Sequence, residues 1–257
     1  MVIETRDETG GVRVLILNRP PANAINAGLL QELERACGEA ERDDAVRAVV
    51  LTGGAGKFFC GGLDLKAVIA AGGAAPWSVN LGRNDGVFAL WTLSKPTVAM
   101  INGHAIAGGT ILALACDVRI AAHGNAKIGL NEAAIGLAFP IGAFEIARLA
   151  LTNQQARRVL LEAELHLPEA AREAGLVDEI VDPARLEEAC LERARRLGAY
   201  PRAAFVHSKR ALQHEAVERV RNETPAQQRA VVSVWTSEET SQVLAAQLAG
   251  ISKGSTR

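Results

Sequence analysis

The chain has 257 residues, 49% of them apolar, with 28 Lys and Arg against 29 Asp and Glu and a formal net charge of −1. High apolar content with balanced charge excludes an intrinsically disordered chain, and the lack of a basic excess excludes nucleic acid as the expected partner. A chain of this length buries roughly three quarters of its unfolded surface and needs no staple; with only six Phe, three Trp and one Tyr, its core must rest on Ala, Val, Leu and Ile, with Gly allowing close backbone approach.

The N-terminal residues include Glu4, Arg6, Asp7 and Glu8, unlike a signal peptide. Residues 12–17 are rich in β-branched side chains and end at Asn18-Arg19-Pro20-Pro21, which predicts a strand and a breaker. Asn26 is placed as a helix N-cap, with Leu29, Leu30, Leu33, Ala36, Cys37 and Ala40 at helical spacing behind it. Residues 46–52 form a nearly continuous apolar run, as in a strand buried on both faces. Glycine loops follow at Gly53-Gly54-Ala55-Gly56 and Gly61-Gly62.

Residues 96–116 carry no formal charge and are long enough to span a bilayer, but they contain Pro96, Asn102, His104 and three glycines. They read better as a buried strand over 97–101, an Asn-Gly turn and a buried helix opening near Gly108. Short strands are predicted over 118–122 and 127–129. This alternation predicts an α/β fold with parallel strands. The second half reads as helices over 152–163, 168–174, 183–200, 201–221 and 225–249, with Pro168, Pro183 and Pro225 in first turns. Its arginines, interleaved with glutamates, read as solvated helix faces. Cys37, Cys60, Cys116 and Cys190 have no short spacing, so they are expected as reduced core thiols in a cytoplasmic protein.

Several chemistries fail on spacing. A phosphate-binding P-loop would need Gly where Leu51 stands and Ser or Thr where Phe58 follows Lys57. No Gly-x-Ser-x-Gly elbow is present, and the five histidines lack metal-ligand spacing, so no metal is expected. More informative are FFCGGLDLK (58–66) and INGHAIAGGTILALACD (101–117), each placing small residues after a buried strand. Glycines there could present converging backbone N–H groups, as in an oxyanion hole, or simply permit tight strand–helix packing. Spacing alone leaves both open.

These two segments, with IGLNEAAIGLAFP (128–140), Asn18-Arg19-Pro20, Asn23-Ala24 and PEAAREAGLVDEIV (168–181), resemble the crotonase, or enoyl-CoA hydratase/isomerase, superfamily. The resemblance implies a crotonase-type spiral of short strands and helices over 1–196, with a helical C-terminal region over 197–257 that contributes to a homotrimer or dimer of trimers. It implies an acyl-CoA substrate, coenzyme A entering as part of it, and no redox cofactor, metal or membrane partner. The backbone N–H groups of Leu63 and Gly108 would hold the thioester oxygen. Gly61, Gly62, Leu63, Asp64 and Leu65 would line the acyl-CoA, with Asn131 beside them, Ala24 near the adenine end and Asp64 bracing the loop.

Within the family, hydratases use two glutamates. One matches Glu132; the other falls at Ile111, which cannot transfer a proton. A single base suits a double-bond shift from C3 to C2, and the sequence resembles the 3-enoyl-CoA to 2-enoyl-CoA isomerase branch. Apolar neighbours such as Ile111 and Ile135 are expected to raise the Glu132 pKa. A hydratase holding its water differently, a thioester hydrolase and a catalytically silent acyl-CoA-binding protein are the alternatives. Residues 68–87 carry no motif, so acyl chain length is open.

Overall fold

The computed structural model describes residues 2–254. Its strands are β1 (Ile3–Glu8), β2 (Val12–Leu17), β3 (Ala48–Thr52), β4 (Phe58–Cys60), β5 (Thr97–Ile101), β6 (His104–Ile106), β7 (Val118–Ala122), β8 (Ile128–Gly129) and β9 (Glu179–Val181). The large sheet has the order β1-β2-β3-β5-β7-β9, antiparallel only between β1 and β2, and the small one is the parallel set β4-β6-β8. The chain therefore alternates: β3, β5 and β7 each enter the large sheet, and the next strand enters the small one. This stepwise advance is the spiral expected above.

Helix α1 (Ala27–Arg42) follows β2; α2 (Leu65–Ala70), α3 (Pro76–Val79) and α4 (Gly86–Trp91) lie between β4 and β5; and α5 (Gly108–Leu114) follows β6. Between β8 and β9 come α6 (Ile141–Ala150), α7 (Asn153–Glu162) and α8 (Pro168–Glu173); α9 (Leu186–Gly198), α10 (Arg202–Arg221), α11 (Pro225–Trp235) and α12 (Glu238–Gly254) close the chain. Asn26 caps α1 by accepting the Leu29 N–H at 2.9 Å, and the six apolar residues named for that helix are the ones it buries.

Strand alternation sends Leu15, Val49, Leu51, Ala99 and Ala121 to one face of the large sheet, where α1, α4 and α5 contribute to the core. Val14, Val50, Val98, Met100 and Ile120 point to the other, against Leu186, Cys190, Leu191 and Ala194 of α9. Each fully buried Leu, Ile or Val on these faces contributes roughly 1.5–3 kcal/mol. All four cysteines are free and buried.

The structure corrects several boundaries. The uncharged 96–116 stretch is divided among β5, β6 and α5, and no helix among the described residues is long and apolar enough to cross a membrane. The helix expected over 183–200 begins as a 3-10 turn, Pro183–Arg185, before α9. The one expected over 225–249 is two helices, because Thr236 ends α11 and the Ser237 hydroxyl accepts the Thr240 N–H at 3.1 Å to start α12. Strands β1, β4, β6 and β9 and helices α2, α3, α4 and α6 are additions to the sequence reading. Most are very short, so tertiary pairing rather than local pattern defines them.

Candidate active site

The three strands of the small sheet are parallel, so their C-terminal ends lie at one edge. Each runs directly into a segment singled out from sequence: β4 into Gly61–Leu63, β6 into Ala107-Gly108, and β8 into Leu130–Glu132. Parallel sheets place ligand-binding loops at this end. Topology thus gathers residues far apart in the chain.

The first loop is held by the segment after Asn23. Ile25 N–H donates to the Gly62 carbonyl at 2.7 Å, and Asp64 N–H donates to the Ile25 carbonyl at 2.8 Å. These bonds flank Leu63, whose own N–H therefore faces away from Ile25. Gly61 N–H donates to the Ala22 carbonyl at 2.8 Å. Buried Asn23 donates its amide to the carbonyls of Gly53, Phe58 and Phe59 at 3.1–3.3 Å. Asp64 caps α2 through Ala67 N–H at 3.1 Å and pairs with Arg19 at 2.6 Å. Burial pushes the Asp64 carboxyl up, but the Ala67 and Arg19 bonds outweigh it and hold the group below its ordinary range.

The second loop meets the first at glycine. Gly62 has φ +89°, and a Cβ there would lie 2.8 Å from the Ile106 carbonyl and 3.4 Å from Gly108 N. Gly108 opens α5 with no side-chain cap before it, and the first intrahelical bonds run from Thr110 and Ile111 to the Ala107 carbonyl. Its N–H thus precedes the helical ladder. Ala107 itself has φ 52° and ψ −122°, a backbone state costing a non-glycine residue about 1–3 kcal/mol. Gly109 has a different task, since a Cβ there would sit 2.0 Å from the Cys60 carbonyl. All three glycines permit close approach: Gly109 lets α5 pack on β4, while Gly62 and Gly108 let the two loops meet. Ile111 is fully buried in α5.

The third loop carries Glu132. Thr110 Oγ1 donates to the Gly129 carbonyl at 2.9 Å and Ala107 N–H to the same oxygen at 2.8 Å, which ties this loop to the start of α5. The Glu132 carbonyl accepts N–H groups from Ile135 at 3.1 Å and Leu137 at 2.9 Å, around the 3-10 turn Ala133–Ile135. The residue is 8% exposed, and burial pushes the carboxyl up to about 8, only partly opposed by a bond with its own backbone. Among the described residues, Glu132 Oε2 and the adjacent Asn131 Oδ1 are buried polar atoms without a hydrogen-bond partner. Such atoms are scarce in native folds and call for an explanation.

The C-terminal helices cover this loop, which no sequence motif indicated. Buried Trp235 donates its indole N–H to the Ala138 carbonyl at 2.7 Å, and buried Thr240 donates its hydroxyl to the Gly136 carbonyl at 2.7 Å. Val68, Val79, Ile135, Leu137, Trp235 and Leu244 form one apolar cluster, with Leu63 and Leu65 packed against it. The Leu63 loop and the Glu132 loop therefore share one apolar wall. Ala24 lies partly buried at the edge of the first loop. Among the described residues, no group of three or more His, Cys, Asp or Glu side chains is arranged to hold a metal ion.

A mixed six-stranded sheet interleaved with a small parallel one, with three loops at one edge of the small sheet and a buried carboxyl on the third, defines a crotonase-type α/β protein. The family model described as enoyl-CoA hydratase/isomerase matches residues 7–249, and the chain belongs to that family of enzymes. A relative from Clostridium acetobutylicum named short-chain-enoyl-CoA hydratase is 31% identical over 207 residues, 80% of this chain and 79% of its own length. The 2,3-dehydroadipyl-CoA hydratase of Escherichia coli is 32% identical over 202 residues, 78% of each. Among solved structures, human mitochondrial delta3-delta2-enoyl-CoA isomerase superposes with a TM-score of 0.89 at 25% identity, covering 99% of both chains.

Proposed function

We propose that this enzyme moves the double bond of a 3-enoyl-CoA from C3 to C2, with Glu132 as the proton-transfer base. The Glu132 carboxylate takes a proton from C2, and the electron pair delocalises onto the thioester oxygen, giving a dienolate. The Leu63 and Gly108 N–H groups stabilise that oxyanion. Glu132 then returns the proton at C4, so the C2=C3 bond forms as the C3=C4 bond is lost, with no net change in protons. Coenzyme A enters and leaves as part of the thioester. A homotrimer or dimer of trimers belongs to the same reading.

The observation that carries this reading is a single buried Glu132 with an unpartnered oxygen, while fully buried Ile111 occupies the position matched to the second glutamate of hydratases. A carboxyl poised near 8 by burial is a stronger base, once ionised, than an exposed glutamate, as removal of a weakly acidic C–H requires. A hydratase is the second reading, favoured by the names of the bacterial relatives. Incubation with 3-hexenoyl-CoA and with crotonyl-CoA separates the two. Conjugation of the first without hydration of the second is expected; rapid hydration of crotonyl-CoA would replace the isomerase reading, and binding of both without turnover would favour a silent acyl-CoA-binding protein.

A further inference from the structure

Arg19 lies in the Asn18-Arg19-Pro20 motif and takes no part in the steps above. Its Nη2 donates to Asp64 Oδ2 at 2.6 Å, and its Nη1 donates to the Ala24 carbonyl at 2.9 Å. Its own backbone N–H donates to Asn23 Oδ1 at 2.9 Å, and Asn23 N–H donates back to the Arg19 carbonyl at 2.8 Å. The guanidinium thus projects from a fixed base.

Its two targets are informative. Asp64 follows Leu63, and Ala24 precedes Ile25; Leu63 and Ile25 are the bridged pair. One planar fork therefore joins both segments of the bridge that turns the Leu63 N–H outward. The backbone bonds of Gly61, Ile25 and Asp64 already hold this loop, and the fork adds a side-chain tie across it that Gly61 and Gly62, which bear no side chains, cannot supply. The pair is also sheltered, the Arg19 and Asp64 side chains being 28% and 18% exposed, which limits screening by solvent.

We infer that Arg19 is a positioning residue which, through Asp64 and the Ala24 carbonyl, fixes the direction of the Leu63 N–H toward the thioester oxygen. The inference rests on the oxyanion-hole role proposed above for Leu63. Lysine would not replace Arg19 fully, since a compact ammonium lacks the rigid fork that holds two acceptors at once. A donor misplaced by about 1 Å costs on the order of a hundredfold in rate, comparable to losing it.

The test uses the whole chain and the conjugated thioester 2,4-hexadienoyl-CoA, whose ultraviolet absorption moves to longer wavelength when hydrogen bonds draw electron density onto the thioester oxygen. Wild type is expected to bind it with a red shift. Arg19→Gln is expected to bind within about threefold of wild type while losing more than about half of the shift; its kcat on 3-hexenoyl-CoA falls roughly 10–100-fold with KM nearly unchanged. Arg19→Lys recovers part of the shift. Should Arg19→Gln fail to fold, Asp64→Asn keeps a competent helix cap, removes the charged partner and is expected to lose the shift in the same way. A folded Arg19→Gln or Asp64→Asn with the wild-type shift overturns the inference and leaves the hole intact. Binding by wild type without any shift removes the oxyanion-hole reading and this inference with it.

Discussion

Replacing Glu132 by Gln links the buried carboxyl to stability through a pH signature. Burial pushes Glu132 from an ordinary value of 4.5 to about 8. Below about pH 4.5 the folded and unfolded chains both hold this proton, and ionisation costs nothing. Between about 4.5 and 8 the unfolded chain loses a proton that the folded chain keeps, so stability falls as pH rises; above about 8 the full cost, about 5 kcal/mol, is present. Gln has nearly the same shape and cannot ionise. Glu132→Gln should therefore gain about 4 kcal/mol more over wild type at about pH 9 than at about pH 5. For a chain of this size that corresponds to a difference on the order of 10 °C in Tm. Urea denaturation followed by circular dichroism at the two pH values measures it, and the comparison cancels every other titrating group. An equal wild-type-to-variant difference at both pH values would refute burial of an ionisable Glu132.

Other expectations follow from single contacts. Trp235→Phe deletes the indole bond to the Ala138 carbonyl and should cost about 1–3 kcal/mol in stability. It should also admit water to Glu132 and move the rising limb of the kcat/KM–pH profile from near 8 toward acid; an unmoved limb would mean that this helix does not control the site. Gly109→Ala would place a methyl 2.0 Å from the Cys60 carbonyl and should abolish soluble expression, whereas Gly28→Ala, at an exposed position of α1 with its nearest neighbour 3.6 Å away, should gain about 0.5–1 kcal/mol; similar yields and melting curves for the two would refute the packing role of Gly109. Light scattering should return the mass of a trimer or hexamer, and a monomer would contradict the proposed assembly.

How far the sequence reaches depends on whether local pattern or long-range pairing decides an element. Helix α1 was legible because Asn26 and six apolar positions carry the whole signal locally. Strands β3 and β5 were legible because uninterrupted apolar runs suit strands buried on both faces. Strands β4 and β6, of three residues each, exist because they pair with one another and with β8, which was read from sequence, and nothing local requires them. Yet they gather the site. Glu132 was legible through resemblance alone, since Ala133 and Ala134 beside it are exposed and give no sign that the carboxyl is buried. Trp235 and Thr240 lie more than 100 residues further on and were read only as helix; their hydrogen bonds to the Ala138 and Gly136 carbonyls appear only once α11 and α12 fold back. The strained backbone at Ala107 likewise leaves no mark on an alanine.

The most direct test of the account is the turnover of 3-hexenoyl-CoA by wild type and by Glu132→Gln at about pH 8.5, near full ionisation of the base. Loss of a positioned general base costs about 10²–10⁴-fold, so kcat in the folded variant should fall by that factor with thioester binding retained. Isomerisation by Glu132→Gln within tenfold of wild type would contradict the claim that this buried carboxylate moves the proton.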